Sequence, residues 1–132
     1  MKYTNNAIYT VIRAAVLVAD QDANVVQAYS STPAKFPTVF AREIGHFTPS
    51  QTATLSNAQD IYETTWEVQV LSNLQAGAKE EAYALMAVVK TALRGLYFVE
   101  VSEQPIDRED MKYFTLAARF RRVIGSGETM PT

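Results

Sequence analysis

His46 is the only histidine in a chain that has no cysteine. It alone offers a neutral imidazole base or a nitrogen ligand for a metal. A hydrolase would need it beside a nucleophile, and a metal centre would need it beside several carboxylates. The chain contains no G-x-S-x-G elbow, and the surroundings of His46 read as neither H-x-x-x-H nor E-x-x-H spacing. His46 stands between Gly45 and Phe47 in a polar stretch, and it reads as a surface loop side chain. The sharper alternative is a small enzyme that uses His46 with an Asp or Glu.

The other candidate groups have equally plain readings. "NLQAG" at 73–77 precedes a helical pattern, but a phosphate loop needs several spaced glycines or G-K-[ST], and one glycine stands alone here. Asp107, Glu109 and Asp110 surround Arg108 without the alternating oxygen ligands and bend glycine of a calcium loop. They read as a solvated turn, with a charged subunit contact as the second reading. Arg119, Arg121 and Arg122 form the densest basic cluster. Strand alternation sends Arg122 to the face opposite the other two, which weakens a phosphate-binding reading and favours arginines that snorkel or pair across an interface. Tyr62, Trp66, Tyr97, Phe98, Phe114 and Phe120 suggest a ligand pocket, but their spacing fits the buried faces of strands. No catalytic, metal or cofactor site emerges.

The elements that must hold these residues come next. The chain has 132 residues, of which 48% are hydrophobic and 20% charged, with a net charge of −2. That fits one domain with a core of its own and gives no basic balance for nucleic acid. No apolar run approaches the roughly 18 residues of a membrane span. Asn5, Asn6, Thr10 and Arg13 interrupt the first apolar stretch, so it reads as a structural helix of a protein made in the cytoplasm rather than a signal peptide. Ile8, Val11, Ile12, Ala15, Val16 and Ala19 recur at helical spacing after a cap at Asn5 or Asn6, and Asp20 to Asp22 end the helix. Strands are expected at 24–30 and 35–44, followed by a long polar loop at 45–59. In 60–72, Tyr62, Thr64, Trp66, Val68 and Val70 alternate with Glu63, Thr65, Glu67 and Gln69, the signature of a half-buried strand. A helix follows from about 78 to 94, closed by Gly95. Strands at 96–102 and 111–124 are separated by the connector "EQPIDRED", and 125–132 reads as a fraying tail.

The expected fold is therefore a single α+β domain over 1–124. It has an about five-stranded, mostly antiparallel sheet with two helices packed on one face, in the order α-β-β-loop-β-α-β-β. The other face, with Glu67, Gln69, Arg119 and Arg121, suits solvent or a polar interface.

The order "FPTVFAREI", a variable polar loop, "WEVQVLSNLQAGAKEEAYALM", "LRGLYF" and "QPIDREDMKYFTLAARFRRVIG" resembles the tail terminator, or tail completion, proteins of long-tailed bacteriophages. The likeness covers about residues 33 to 125. It departs from the family pattern where Leu96 and Tyr97 stand between Gly95 and Phe98. The resemblance implies a sheet flanked by helices and a non-enzymatic structural protein with no cofactor. Such proteins form a ring, typically hexameric, on the last ring of the tail tube, stop its polymerisation and present a surface to the head connector or stopper protein. It further implies a place at the head–tail interface of the virion, DNA only in transit through the lumen, and no membrane. A ring needs heterologous contacts. His46, Phe47 and Thr48 of the long loop, with Glu67, Gln69, Arg119 and Arg121, are then the candidate subunit or tube contacts. A head-closure or adaptor protein and a tail tube subunit are neighbouring readings. A small host dimeric ligand-binding domain is the alternative from another class.

Overall fold

The computed structural model describes residues 4–28, 33, 35–47, 62–74, 76–106 and 113–124. Its elements are α1 (Asn5–Ala19), β1 (Asn24–Val26), β2 (Thr38–Phe47), β3 (Tyr62–Ser72), α2 (Ala78–Gly95), β4 (Val99–Ile106) and β5 (Phe114–Ile124). They form the expected α+β domain. The sheet order is β1-β2-β3-β5-β4; β1 runs parallel to β2 and every other pair is antiparallel.

The core lies between the helices and one sheet face. Ile8, Ile12 and Val16 of α1 and Ala82, Leu85, Met86, Val89 and Leu93 of α2 meet Val39, Ala41, Trp66, Val68, Val70, Leu116, Ala118, Phe120 and Ile124. The i, i+4 stripe of α1 and the period-2 faces of β3 and β5 interlock as their spacing requires. The cap of α1 is Thr4, one residue before the asparagines, and its hydroxyl accepts from the Ala7 backbone N–H at 2.9 Å. Glu80 and Glu81 face the positive end of α2 and Arg94 its negative end. The Ser72 hydroxyl, at the end of β3, donates to Glu81 at 2.6 Å and ties the strand to that first turn. Gly77 turns the chain into α2 with φ at 87°, a conformation that costs a side-chain-bearing residue more. "NLQAG" therefore acts as a turn into the helix.

Several boundaries differ from expectation. β1 is three residues long rather than seven, and the Tyr9 hydroxyl donates to the Val25 carbonyl at 2.8 Å. Burial chiefly holds the Tyr9 phenol above its ordinary titration range, against the opposing charge of Arg13. β2 begins at Thr38, not 35, and runs on to Phe47, so the polar loop does not begin at residue 45. A register shift between Glu43 and Gly45 accommodates Ile44; such a bulge breaks strict alternation and hides the strand's last residues from a period-2 reading. The remainder of the loop, and the tail, lie outside the described residues. β4 begins at Val99 and continues through Glu103, Gln104, Pro105 and Ile106, which read as connector. β4 is an edge strand, so it needs hydrogen bonds on one side only and tolerates proline. Its register shift, between Glu100 and Ser102, leaves both Glu100 and Glu103 facing α2. There Lys90 reaches them at 3.4 and 2.5 Å. Burial pulls the Lys90 ammonium down, but hydrogen bonding and charge from Glu103 and then Glu100 outweigh it and hold the group above its usual range.

The end of α2 also departs from expectation. Gly95 is its last helical residue, and the left-handed position falls on Tyr97, at φ 64°. Phe98 N–H reaches the Leu93 carbonyl at 3.0 Å and Tyr97 N–H the Arg94 carbonyl at 2.9 Å. This is a Schellman closure with tyrosine where glycine is usual. Phe98 and Leu93 are both buried and supply its apolar contact.

Candidate functional site

The sheet face away from the helices divides in two. At the end where β2 and β5 begin, Thr38, Phe40, Leu71, Thr115 and Ala117 are buried, so that half is not the polar surface expected. The rings of Phe36 and Tyr113, just ahead of those strands, meet at a tilt of 43° with their centres 5.3 Å apart. At the other end the face carries charge. Arg42, Glu67 and Arg119 stand in one row across β2, β3 and β5. Glu67 is nearly enclosed, with its side chain 12% exposed, while Arg42 and Arg119 are more than half exposed. The carboxylate accepts from Arg119 Nε at 3.3 Å, lies 3.6 Å from Arg42 Nη2, and accepts from Gln69 Nε2 at 3.1 Å. Arg121 lies one rung away, between Thr65 and Val99, and is exposed.

Four candidate contacts, Glu67, Gln69, Arg119 and Arg121, thus share this face, and three of them join directly. Arg42 belongs to the row and was missed. Alternation along "TVFAR" would have placed it outward, and antiparallel register opposite Glu67 would have found its partner. Because both guanidinium groups are largely hydrated, we expect Glu67→Gln to cost under about 1 kcal/mol. The loss should shrink further in about 1 M salt, and urea titration at two ionic strengths measures it. A loss well above about 2 kcal/mol would mean that the carboxylate is far more desolvated than this geometry allows.

His46 is elsewhere. It lies on β2 opposite Thr64, on the helix side of the sheet, and is a strand residue rather than a loop residue. Its Nδ1 is 3.3 Å from the Glu43 carboxylate, which also takes a short hydrogen bond from the buried Thr64 hydroxyl and a longer one from Asn5 Nδ2 at 3.4 Å. The expectation that no E-x-x-H spacing surrounds His46 is wrong: Glu43-x-x-His46 is one, and the bulge at Ile44 brings both residues to one side. The cluster ties the start of α1 to β2 and β3. Phe47 closes β2 opposite Glu63, and Thr48 lies outside the described residues. Among the described residues no three histidines or carboxylates gather closely enough to hold a metal ion.

Arg122 lies on the face opposite Arg119 and Arg121, as alternation requires, and there it is turned toward the helices and only 7% exposed. Its Nη1 donates to the Leu96 carbonyl at 2.9 Å, and its guanidinium lies 5.6 Å from the centre of the Tyr97 ring. A cation here meets the negative end of α2 and satisfies one of its free carbonyls.

The described residues leave seven large apolar side chains exposed, and Tyr97, Val99, Val101 and Val123 are four of them. Tyr97 leads into β4, and Val123 lies two residues beyond Arg121, the cross-strand partner of Val99. All four lie toward the end of the sheet where β4 begins and β5 ends. Scattered exposed apolar residues need no explanation, but a concentrated patch marks a surface that is covered by something.

No protein-family model matches the chain, and no curated protein matches it. No helix among the described residues is long and apolar enough to cross a membrane.

Proposed function

We propose that this chain is an assembly protein of the phage tail terminator kind, forming a ring at the head-proximal end of a tail tube, stopping tube growth and joining tail to head. The observation that carries this reading is the apolar patch of Tyr97, Val99, Val101 and Val123 on an open sheet edge. It sits beside the exposed Arg121 and the Arg42–Glu67–Arg119 row, and aromatic residues and arginine are favoured in protein contacts. The order of sequence motifs supplies the tail context, and the two helices on one sheet face suit the fold that the resemblance implies. Partners on this reading are further copies of the chain, the tube protein and the head connector. The test is solution mass by light scattering at low and high concentration, together with purified tail tubes. Rings, or a monomer that caps tubes and blocks their growth, are the expected result. A tight dimer with no effect on tubes would sink the proposal.

A further inference from the structure

The chain carries a second uncovered apolar surface, on the outward side of its helix layer. Ala15 and Val18 of α1 face Ala87, Val88, Thr91 and Ala92 of α2 across a groove of about 490 Å³. Its walls are small and uncharged, and Val18 is 88% exposed. The Thr91 hydroxyl donates to the Ala87 carbonyl at 3.0 Å, which leaves its oxygen lone pairs open to accept a hydrogen bond.

The Tyr97 corner has the opposite shape. Its ring is 67% exposed and stands on a backbone held in the left-handed region, where glycine would sit without cost. The buried Arg122 lies against the ring and fixes the carbonyl just before it. A strained position that displays a large aromatic side chain calls for a use of that side chain.

We propose that the two surfaces fill each other between copies of this chain: Tyr97 of one copy enters the α1–α2 groove of the next, with Val99 and Val101 on its flank. An aromatic ring is of a size to occupy such a groove, and the Thr91 oxygen can accept its hydroxyl. Charge agrees with shape. The last turn of α1 has no basic residue, and Asp20 and Asp22 follow it, so the Val18 end of the groove is negative. Around Tyr97 stand Arg94 and Arg121, both exposed. The knob lies at the sheet edge and the groove on the helix layer: repeated head to tail the contact builds a ring or an open chain, and paired about a two-fold axis it closes a dimer.

This inference rests on the assembly reading above and gives it a contact. Because the chain has no cysteine, single thiols report neighbours cleanly. Val99→Cys and Val18→Cys chains, mixed under mild oxidation, should form a 99–18 disulfide dimer in preference to 99–99 or 18–18 products. Predominance of either like-with-like product, or no cross-link at concentrations where the chain associates, overturns the contact. Tyr97→Gly should weaken self-association at least about tenfold by sedimentation velocity while its melting temperature stays close to that of the wild type, because relief of the left-handed backbone offsets the lost Arg122–ring contact. Unchanged association overturns the contact, as does a wild-type chain that stays monomeric at every concentration and forms no cross-link. Cross-linked, associating chains that leave tail tubes uncapped would keep the contact and remove the terminator function. Capping with no 99–18 link would do the reverse.

Discussion

Replacing Trp66 with alanine should lower the free energy of unfolding by about 3–5 kcal/mol, enough to leave the domain close to unfolded at ordinary temperatures if its total stability is typical. Trp66 is fully buried. It lies between Glu43 of β2 and Phe120 of β5 in the sheet register, on the face that both helices cover. Removing the indole takes the largest side chain out of the core and leaves a space that two helices and three strands must share. Those elements are fixed by their own hydrogen bonds, so collapse into the gap is incomplete and the lost contacts are not regained. Trp66→Phe should cost clearly less, because most of the ring volume survives. Trp66 is the sole tryptophan, so urea titration has to be followed by circular dichroism rather than fluorescence. A loss below about 1 kcal/mol would show that the site repacks freely and that this core is looser than its burial indicates.

Arg122→Ala should cost about 2–4 kcal/mol, although arginine at the end of a strand is ordinarily a surface residue. The substitution removes a buried guanidinium, deprives the Leu96 carbonyl of its donor and takes the cation from beneath the Tyr97 ring. The remaining carbonyl has no water-like substitute in an alanine. Arg122→Lys should recover part of the loss, since an ammonium can reach one acceptor but lacks the flat plate that lies against the ring. The expected order in urea midpoints is wild type, then lysine, then alanine. Equal midpoints for all three would mean that the closure of α2 is held by its backbone bonds alone.

The helix stripes and the central strands were legible because both signals survive burial on one side. Ile8, Ile12 and Val16 recur every four residues, and Val68 and Val70 alternate with Glu67 and Gln69. What was illegible has three physical causes. Bulges at Ile44 and Val101 shift the alternation by one residue and erase it over the last part of each strand. β4 was legible as a strand as far as Ser102, but beyond it Glu103 and Gln104 give no apolar face to continue the signal, and Pro105 mimics a turn. The third cause is tertiary. Phe40 and Leu71 share a face with Arg42 and Glu67, and nothing local distinguishes the half of that face that becomes buried. The candidate contacts were partly legible for the same reasons. Period 2 found the outward side chains Glu67, Gln69, Arg119 and Arg121, but it could not supply Arg42 without the register, nor reveal that His46 faces the helices. The left-handed residue after α2 was sought at Gly95, the obvious glycine, and fell on Tyr97 because the helix continues through Gly95.

The position of β5 has a consequence for how the molecule comes into being. Of the described strands β5 leaves the ribosome last, yet it is not an edge: it sits between β3 and β4, and its cross-strand pairing joins residues as far apart as Tyr62 and Ile124. Until about residue 124 has emerged, β3 lacks one neighbour and β4 lacks its only one. The nascent chain therefore presents β3 without its β5 neighbour, and closure waits on a long-range pairing. Closure of this sheet waits for residue 124, and a chain cut before β5 loses the middle of its sheet rather than its margin.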